Sequence, residues 1–236
     1  MKGVVLAAGM GSRLAPITSC VPKPLLPLKG ERLIDFVVRY LKEKCEEIFV
    51  VGGHLWELME RYLGRKHPDV RLVWADKVLP GNLYTLMRVR HHLEEDFVIA
   101  NADHLFPKDV WDVFPAPVGG IQLACHRKGT RVFLEDEMKI REEKGFLLFM
   151  DKKLSAYDGA YTGLAYVGKD AVKVFWNRAE ELTRSLGDLA KVEDLFNSLV
   201  REVRPRIVWI DKVPFYEVDT IHDLRRVWHE ARARAL

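Results

Sequence analysis

Residues 6–27 read LAAGMGSRLAPITSCVPKPLLP. Met1 to Leu6 forms a short apolar run ahead of them, so the segment reads as a strand that opens into a loop. Gly9 and Gly11 permit backbone turns and the close approach of a ligand that a side chain would obstruct. Backbone N–H groups in such a loop can point at anionic oxygens. Arg13 and Lys23 add two cations of different geometry, a planar fork suited to bidentate phosphate binding and a mobile point charge. Together they predict a polyphosphate clamp, against the plainer reading of a flexible loop with surface cations. A Walker loop is excluded because no Gly-Lys-Ser/Thr follows, and a dinucleotide fingerprint is excluded because Leu14 and Pro16 stand where its third glycine and helix belong.

Apolar runs at Lys2 to Ala8, Glu47 to Gly53, Val70 to Asp76 and Phe97 to Asp103 alternate with helical patterns over 33–44, 55–63 and 84–93. Leu33, Phe36, Val37, Tyr40 and Leu41 share one helical stripe. Strand–helix alternation of this kind predicts an α/β fold with a doubly wound, mostly parallel, Rossmann-like sheet. From Gly119 to Val167 the strands become closely spaced, with a hairpin about Glu142 to Gly145, and predict a small antiparallel subregion. Helices are expected over 169–185 and 192–201, strands near Ile207 and Tyr216, and a last helix from Ile221. The 236 residues suffice for one domain that buries roughly 70 to 75% of its extended-chain surface. That domain divides into a nucleotide-binding half, about 1–118, and an acceptor-binding half, about 119–236.

Charged residues make up 30% of the chain for a net charge of +3, which offers no dedicated nucleic-acid surface, and no run approaches a membrane span. Arg225, Arg226, Arg232 and Arg234 follow a helical pattern and read as a solvated face. Cys20, Cys45 and Cys125 are scattered without CxxC spacing, so neither a disulfide framework nor a zinc site is expected, and a reducing cytoplasm suits them. Gln122 is the only glutamine, whereas Arg, Lys and Glu abound, a bias found in thermophiles.

In an open α/β sheet ligands gather beyond the carboxyl ends of the strands. Phe97 to Phe106, FVIANADHLF, puts Asp103 directly after an apolar strand, where its carboxylate is a candidate magnesium ligand. Magnesium takes few protein carboxylates, filling its shell with water and phosphate oxygens, and Asp219 in YEVDT supplies a second acid in a similar context. The competing reading is that Asp219 or Thr220 caps the helix from Ile221.

Taken together, these segments resemble the signature of the sugar-1-phosphate nucleotidyltransferases, enzymes that join an NTP to a phosphorylated sugar or alcohol. The resemblance implies that Asp103 and Asp219 bind Mg²⁺, and that Arg13 and Lys23 join them in catalysis. The implied reaction is attack of an acceptor phosphate on the NTP α-phosphorus, with pyrophosphate leaving and no covalent enzyme intermediate. Nucleotide contacts are expected from Leu6, Ala7, Ala8, Gly9, Gly11, Ser12, Arg13, Lys23 and Ala102, and from Asp76, Gly81 and Asn82 of the segment DKVLPGNLYTL. Relatives that use thymidine or uridine triphosphate commonly carry a glutamine five residues before such a glycine, where this chain has Asp76. A carboxylate only accepts hydrogen bonds, which suits the amine of cytosine, or in another pose the donors of guanine, better than the O4 of uracil. CTP is the favoured nucleotide on that ground, while Asp76 as a turn acid and Asn82 as a helix N-cap stay open.

Lys152, Leu154, Tyr157, Thr162 and Gly163 keep the order seen in inositol-1-phosphate cytidylyltransferases, with Lys152, or Lys153 in its place, meeting the acceptor phosphate. The acceptor set is then His104, Lys152, Thr162, Gly163 and Glu217. Tyr161 and Glu217 stand where those enzymes usually have aspartates. RLVWADK and YEVDTIHDLRR are also similar to bacterial choline-phosphate cytidylyltransferases. The rivals to an inositol 1-phosphate acceptor are therefore choline phosphate and a sugar 1-phosphate. A rival of another class is a noncatalytic nucleotide-sensing subunit, which the joint presence of Arg13, Lys23, Asp103 and Asp219 disfavours.

Overall fold

A computed structural model describes residues 1–116, 118–131 and 133–230. Its strands are β1 (Lys2–Ala7), β2 (Pro27–Leu28), β3 (Glu31–Arg32), β4 (Glu47–Gly52), β5 (Arg71–Trp74), β6 (Phe97–Asn101), β7 (His104–Leu105), β8 (Ile121–Arg127), β9 (Lys139–Glu143), β10 (Phe146–Asp151), β11 (Gly159–Val167), β12 (Arg206–Trp209) and β13 (Tyr216–Glu217). The α-helices are α1 (Leu33–Lys42), α2 (Trp56–Lys66), α3 (Leu83–Met87), α4 (Lys169–Leu186), α5 (Val192–Ser198) and α6 (Ile221–Glu230). Arg232 and Arg234 lie outside the described residues.

Nine strands form one sheet in the order β5-β4-β1-β6-β11-β8-β12-β10-β9. β1 pairs parallel with β4 and β6, and β4 pairs parallel with β5. Both faces of β1 are covered: Val5 and Ala7 pack into one apolar cluster with α1, while Val4 and Leu6 pack into another with α3, α4 and α5. This double burial is why the strand reads as an unbroken apolar run and not as an alternation. The antiparallel strands do not stand apart. β11 pairs antiparallel with both β6 and β8, so they extend the parallel sheet.

The helix expected over 84–93 is shorter than its periodicity suggests. α3 ends at Met87, and Arg90–His92 forms a separate 3₁₀ turn. Leu83, Leu86 and Val89, all fully buried, recur every third residue, a spacing that a 3₁₀ turn satisfies as well as an α-helix does. Arg88, Val89, His92 and Leu93 accordingly donate their amides three residues back.

The chain winds outward from β1 through β4 to β5 and then returns to β6 on the other side of β1. That reversal is a topological switch point, where the connections diverge and leave a crevice beyond the strand ends. Ala8 onward and Ala102 onward lead out into it.

Candidate active site

The crevice at the switch point is a cleft of about 360 Å³. One wall is the loop after β1, where Leu6, Ala7, Ala8, Gly9, Gly11, Ser12 and Arg13 all line the cavity. Gly11 sits at φ 63°, in the left-handed region, and a Cβ there would come within 2.9 Å of Lys23 Cβ. Its carbonyl accepts hydrogen bonds from the Leu14 amide (2.9 Å) and the Thr18 hydroxyl (3.0 Å), which tie the loop back onto itself. Gly9 differs: a Cβ there would meet no protein atom within 4 Å. Its openness belongs to the cleft and not to packing.

Lys23 begins a 3₁₀ turn and is only 8% exposed. Its ammonium donates to both Asp103 and Asp219. These carboxylates come from positions 116 residues apart in the chain, and a small two-stranded ribbon explains their meeting. β13 pairs antiparallel with β7, setting Glu217 opposite His104, and the Val218 amide donates to the Asp103 carbonyl at 3.1 Å. Asp219 is free to enter the cleft because the capping is done by its neighbours. Asp223 accepts from the Thr220 amide (2.9 Å) and hydroxyl (2.7 Å), and the Thr220 hydroxyl accepts from the Asp223 amide (3.2 Å). Arg13 reaches over to Asp219 and Asp136.

Burial works against charge on Asp103, but Lys23 and then His104 outweigh it and bring the carboxyl down to about 2. Asp219 is lowered too: burial opposes the shift and Lys23 more than compensates. His104 shows the converse. Burial would lower it, yet Asp103 and Glu217, at 3.5 and 3.4 Å, lift it to about 9 and leave the ring charged near neutrality. Its Nδ1–H donates to the Thr162 carbonyl at 2.8 Å. Glu217 is raised, chiefly by burial. The foot of the cleft thus holds ionised carboxylates compensated by the buried Lys23 ammonium together with the His104 ring and the Arg13 guanidinium.

Ala102, Asn82, Lys152, Gly163, His104 and Glu217 also line the cavity. Three expected contacts are placed elsewhere. Asp76 is exposed, with its carboxylate taken by the Tyr84 hydroxyl and near Arg88 (3.6 Å). Gly81 is a glycine for packing, since its Cβ would fall 2.1 Å from the Ala190 carbonyl oxygen. Thr162 lies beneath the surface, where its hydroxyl donates to the Ala124 carbonyl at 2.8 Å. Asn82 uses its side-chain oxygen to accept from the Val192 amide (2.8 Å), so it braces α5 and makes no side-chain cap for α3. At Gly163, φ is 76° and a Cβ would collide with His104 Nδ1, which explains the glycine. Asp136, Glu137, Tyr161 and Glu193 also face the cleft. Asp136, Glu137 and Glu193 carry no local signature because they sit in a loop and at a helix start, whereas Tyr161 stands out in the sequence only as a departure from an expected aspartate.

Two carboxylates, two cations and an open glycine loop at a switch point define a site for a phosphorylated ligand. Residues 3–134 match the model of the MobA-like NTP transferase domain, and the chain belongs to this nucleotidyltransferase family. It is 27% identical over 226 residues to a bifunctional IPC transferase and DIPP synthase of Archaeoglobus fulgidus, covering 96% of this chain and 43% of that protein. The chain thus spans less than half the length of that relative. Choline-phosphate cytidylyltransferase of Streptococcus pneumoniae is 25% identical over 240 residues, with 96% of each chain covered. Among solved structures, the inositol-1-phosphate CTP transferase from T. maritima superposes with a TM-score of 0.83 at 20% identity, covering 97% of this chain and 93% of that one. This last likeness establishes the fold.

Proposed function

We propose that the chain is a Mg²⁺-dependent cytidylyltransferase that joins CTP to a phosphorylated alcohol, inositol 1-phosphate foremost, releasing pyrophosphate and a CDP-alcohol. The observation that carries this reading is the convergence of Asp103 and Asp219 on Lys23 at the foot of the Gly9–Arg13 loop. The donor set fits magnesium. Both carboxylates are held ionised, and they border a cavity with room for phosphate oxygens. Among the described residues no group of three or more His, Cys, Asp or Glu side chains is gathered to hold a metal alone. Two carboxylates plus substrate oxygens are what magnesium ordinarily accepts.

Asp103 and Asp219 would hold the ion, which when bound supplies charge neutralisation to the triphosphate. Arg13 and Lys23 bind the NTP and exchange their present carboxylate partners for its oxygens. The acceptor phosphate, already anionic, attacks the α-phosphorus. A new P–O bond forms on the side opposite the bridging oxygen, whose bond to the α-phosphorus breaks with departure of pyrophosphate. Arg13 and Lys23 stabilise the negative charge that accumulates on the leaving group. Lys152, on the far wall, receives the acceptor phosphate. In this reading residues 1–118 serve chiefly the nucleotide and 119–236 chiefly the acceptor within one domain, with Asp219 crossing to the metal and His104 to the acceptor side. Among the described residues no helix is long and apolar enough to cross a membrane, and the three cysteines are free thiols, as a cytoplasmic enzyme would have them.

The name of the pneumococcal relative, a cytidylyltransferase, supports CTP. A second acceptor, choline phosphate, is favoured by the pneumococcal relative, which matches this chain end to end. The site is tested by Asp103→Asn and Asp219→Asn. Each is expected to abolish Mg²⁺-dependent pyrophosphate release while the melting curve stays cooperative, and normal turnover in either variant would reject the shared-metal model.

A further inference from the structure

The inner wall of the cleft carries polar groups that the reaction above leaves idle. α5 presents Glu193 to the cavity beside Tyr161 of β11. Among the described residues, neither the Tyr161 hydroxyl nor the Glu193 carboxylate is hydrogen-bonded to another residue. Neither is a sealed, unsatisfied group: both border the open cleft and Glu193 is partly exposed, so a ligand in the cleft can reach them.

Their position is fixed firmly for so short a helix. The Val192 amide is held by Asn82 at 2.8 Å. At the other end Asn197 clamps Met150, accepting from its amide (2.8 Å) and donating to its carbonyl (2.9 Å). Met150 lies two residues before Lys152, so α5 and the acceptor-side lysine share one support. The electrostatics agree: Glu193 is raised, chiefly by burial, and Lys152 is among the charges that oppose the rise. Burial, and then Glu193, lift the Tyr161 hydroxyl.

We propose that Glu193 and Tyr161 bind hydroxyl groups of the acceptor, so that the enzyme selects a polyol phosphate whose phosphate sits on Lys152. The assignment rests on the cytidylyltransferase reading given above. A carboxylate and a phenol side by side offer an acceptor and a donor, the complement of a vicinal hydroxyl pair. A quaternary ammonium calls instead for several aromatic faces. Among the described residues lining the cleft, Tyr161 is the only Phe, Tyr or Trp, and its ring is engaged edge-on with Phe196 at 5.9 Å.

The test is steady-state pyrophosphate release by wild type, Glu193→Gln, Glu193→Ala and Tyr161→Phe, with inositol 1-phosphate, its single-deoxy analogues and choline phosphate as acceptors. Melting temperatures serve as the control for folding. Glu193→Ala is expected to raise the acceptor KM about tenfold or more, the scale of a lost hydrogen bond to a charged group, and to leave the KM for CTP within about twofold. One deoxy analogue should lose as much against wild type and lose nothing further against the variant. A purely structural role would not produce that pairing. Turnover by wild type with an unmoved acceptor KM in every variant, a change confined to the CTP KM, or a preference for choline phosphate would overturn the assignment and leave the nucleotidyltransferase reading standing. Absence of turnover by wild type with every NTP and acceptor would overturn both.

Discussion

Gly9 and Gly11 look alike in the sequence and do different work. Gly11 is demanded by the protein, through its positive φ and the 2.9 Å approach to Lys23. Gly9 leaves open space. Gly11→Ala is therefore expected to cost roughly 1–2 kcal/mol, lowering the melting temperature by about 2–4 °C per kcal/mol in a chain of this size. Gly9→Ala should melt with the wild type and instead raise the KM for the NTP, and a thermal scan beside a CTP titration separates the two. Asp76 marks a limit of residue-level reading. Its carboxylate was a reasonable reader of cytosine by chemistry, but in the fold it is engaged by Tyr84 and Arg88 outside the cleft lining. Asp76→Gln is expected to leave the CTP:UTP ratio of specificity constants within about twofold, and a tenfold fall, about 1.4 kcal/mol, would restore it as the base reader. Asp103 was legible because a strand end followed by a polar turn needs no knowledge of partners. Glu193 was not, since the second residue of a helix is an ordinary place for an acid.

At the scale of elements, α1 shows how local and long-range chemistry combine. Asp35, 2% exposed in its first turn, accepts from the Arg32 amide at 2.8 Å, the Tyr62 hydroxyl at 2.6 Å and His67 at 2.8 Å. The last two come from α2 and the residue that follows it, so one carboxylate joins both helices. Burial would raise Asp35, but the hydrogen bonds from His67, Tyr62 and Arg32 prevail and hold it below its ordinary 3.8. A depressed folded value means stability that is present above 3.8 and lost as pH falls through the lowered value. Asp35→Asn is expected to lower stability at pH 7, by about 1–3 kcal/mol, and to flatten the acid limb of the stability curve. Denaturant titrations at pH 7 and pH 3 check this, and an unchanged acid limb would contradict it. The strands and long helices were readable because burial on two faces, or on one stripe, prints itself in the order of residues. α3 was overextended because spacings of three fit two kinds of helix. The ribbon of β7 and β13 could be anticipated as a strand near Tyr216, but not as a pairing, since nothing local in two residues names a partner more than a hundred positions away.

The molecule as a whole turns on a reversal of winding. β1 and β6 lie side by side, their connections leave in different directions, and the glycine loop and Asp103 emerge at the same crevice. The later part of the chain then closes that crevice from across, with Asp219 behind Lys23 and with Lys152, Tyr161 and Glu193 on the far wall. Parallel order and the location of the cleft follow from alternating strands and helices alone. The far wall depends on β11 entering the sheet antiparallel between β6 and β8, a choice made by tertiary packing. On the proposed reading this two-walled cleft transfers a cytidylyl group with magnesium held at its foot. This transfer is tested most directly by measuring pyrophosphate release for each of the four common NTPs against inositol 1-phosphate, choline phosphate and a sugar 1-phosphate, with Mg²⁺ and with excess chelator. Release with CTP and inositol 1-phosphate that is lost on chelation is expected. Equal release with chelator present, or a clear preference for another NTP, would contradict it.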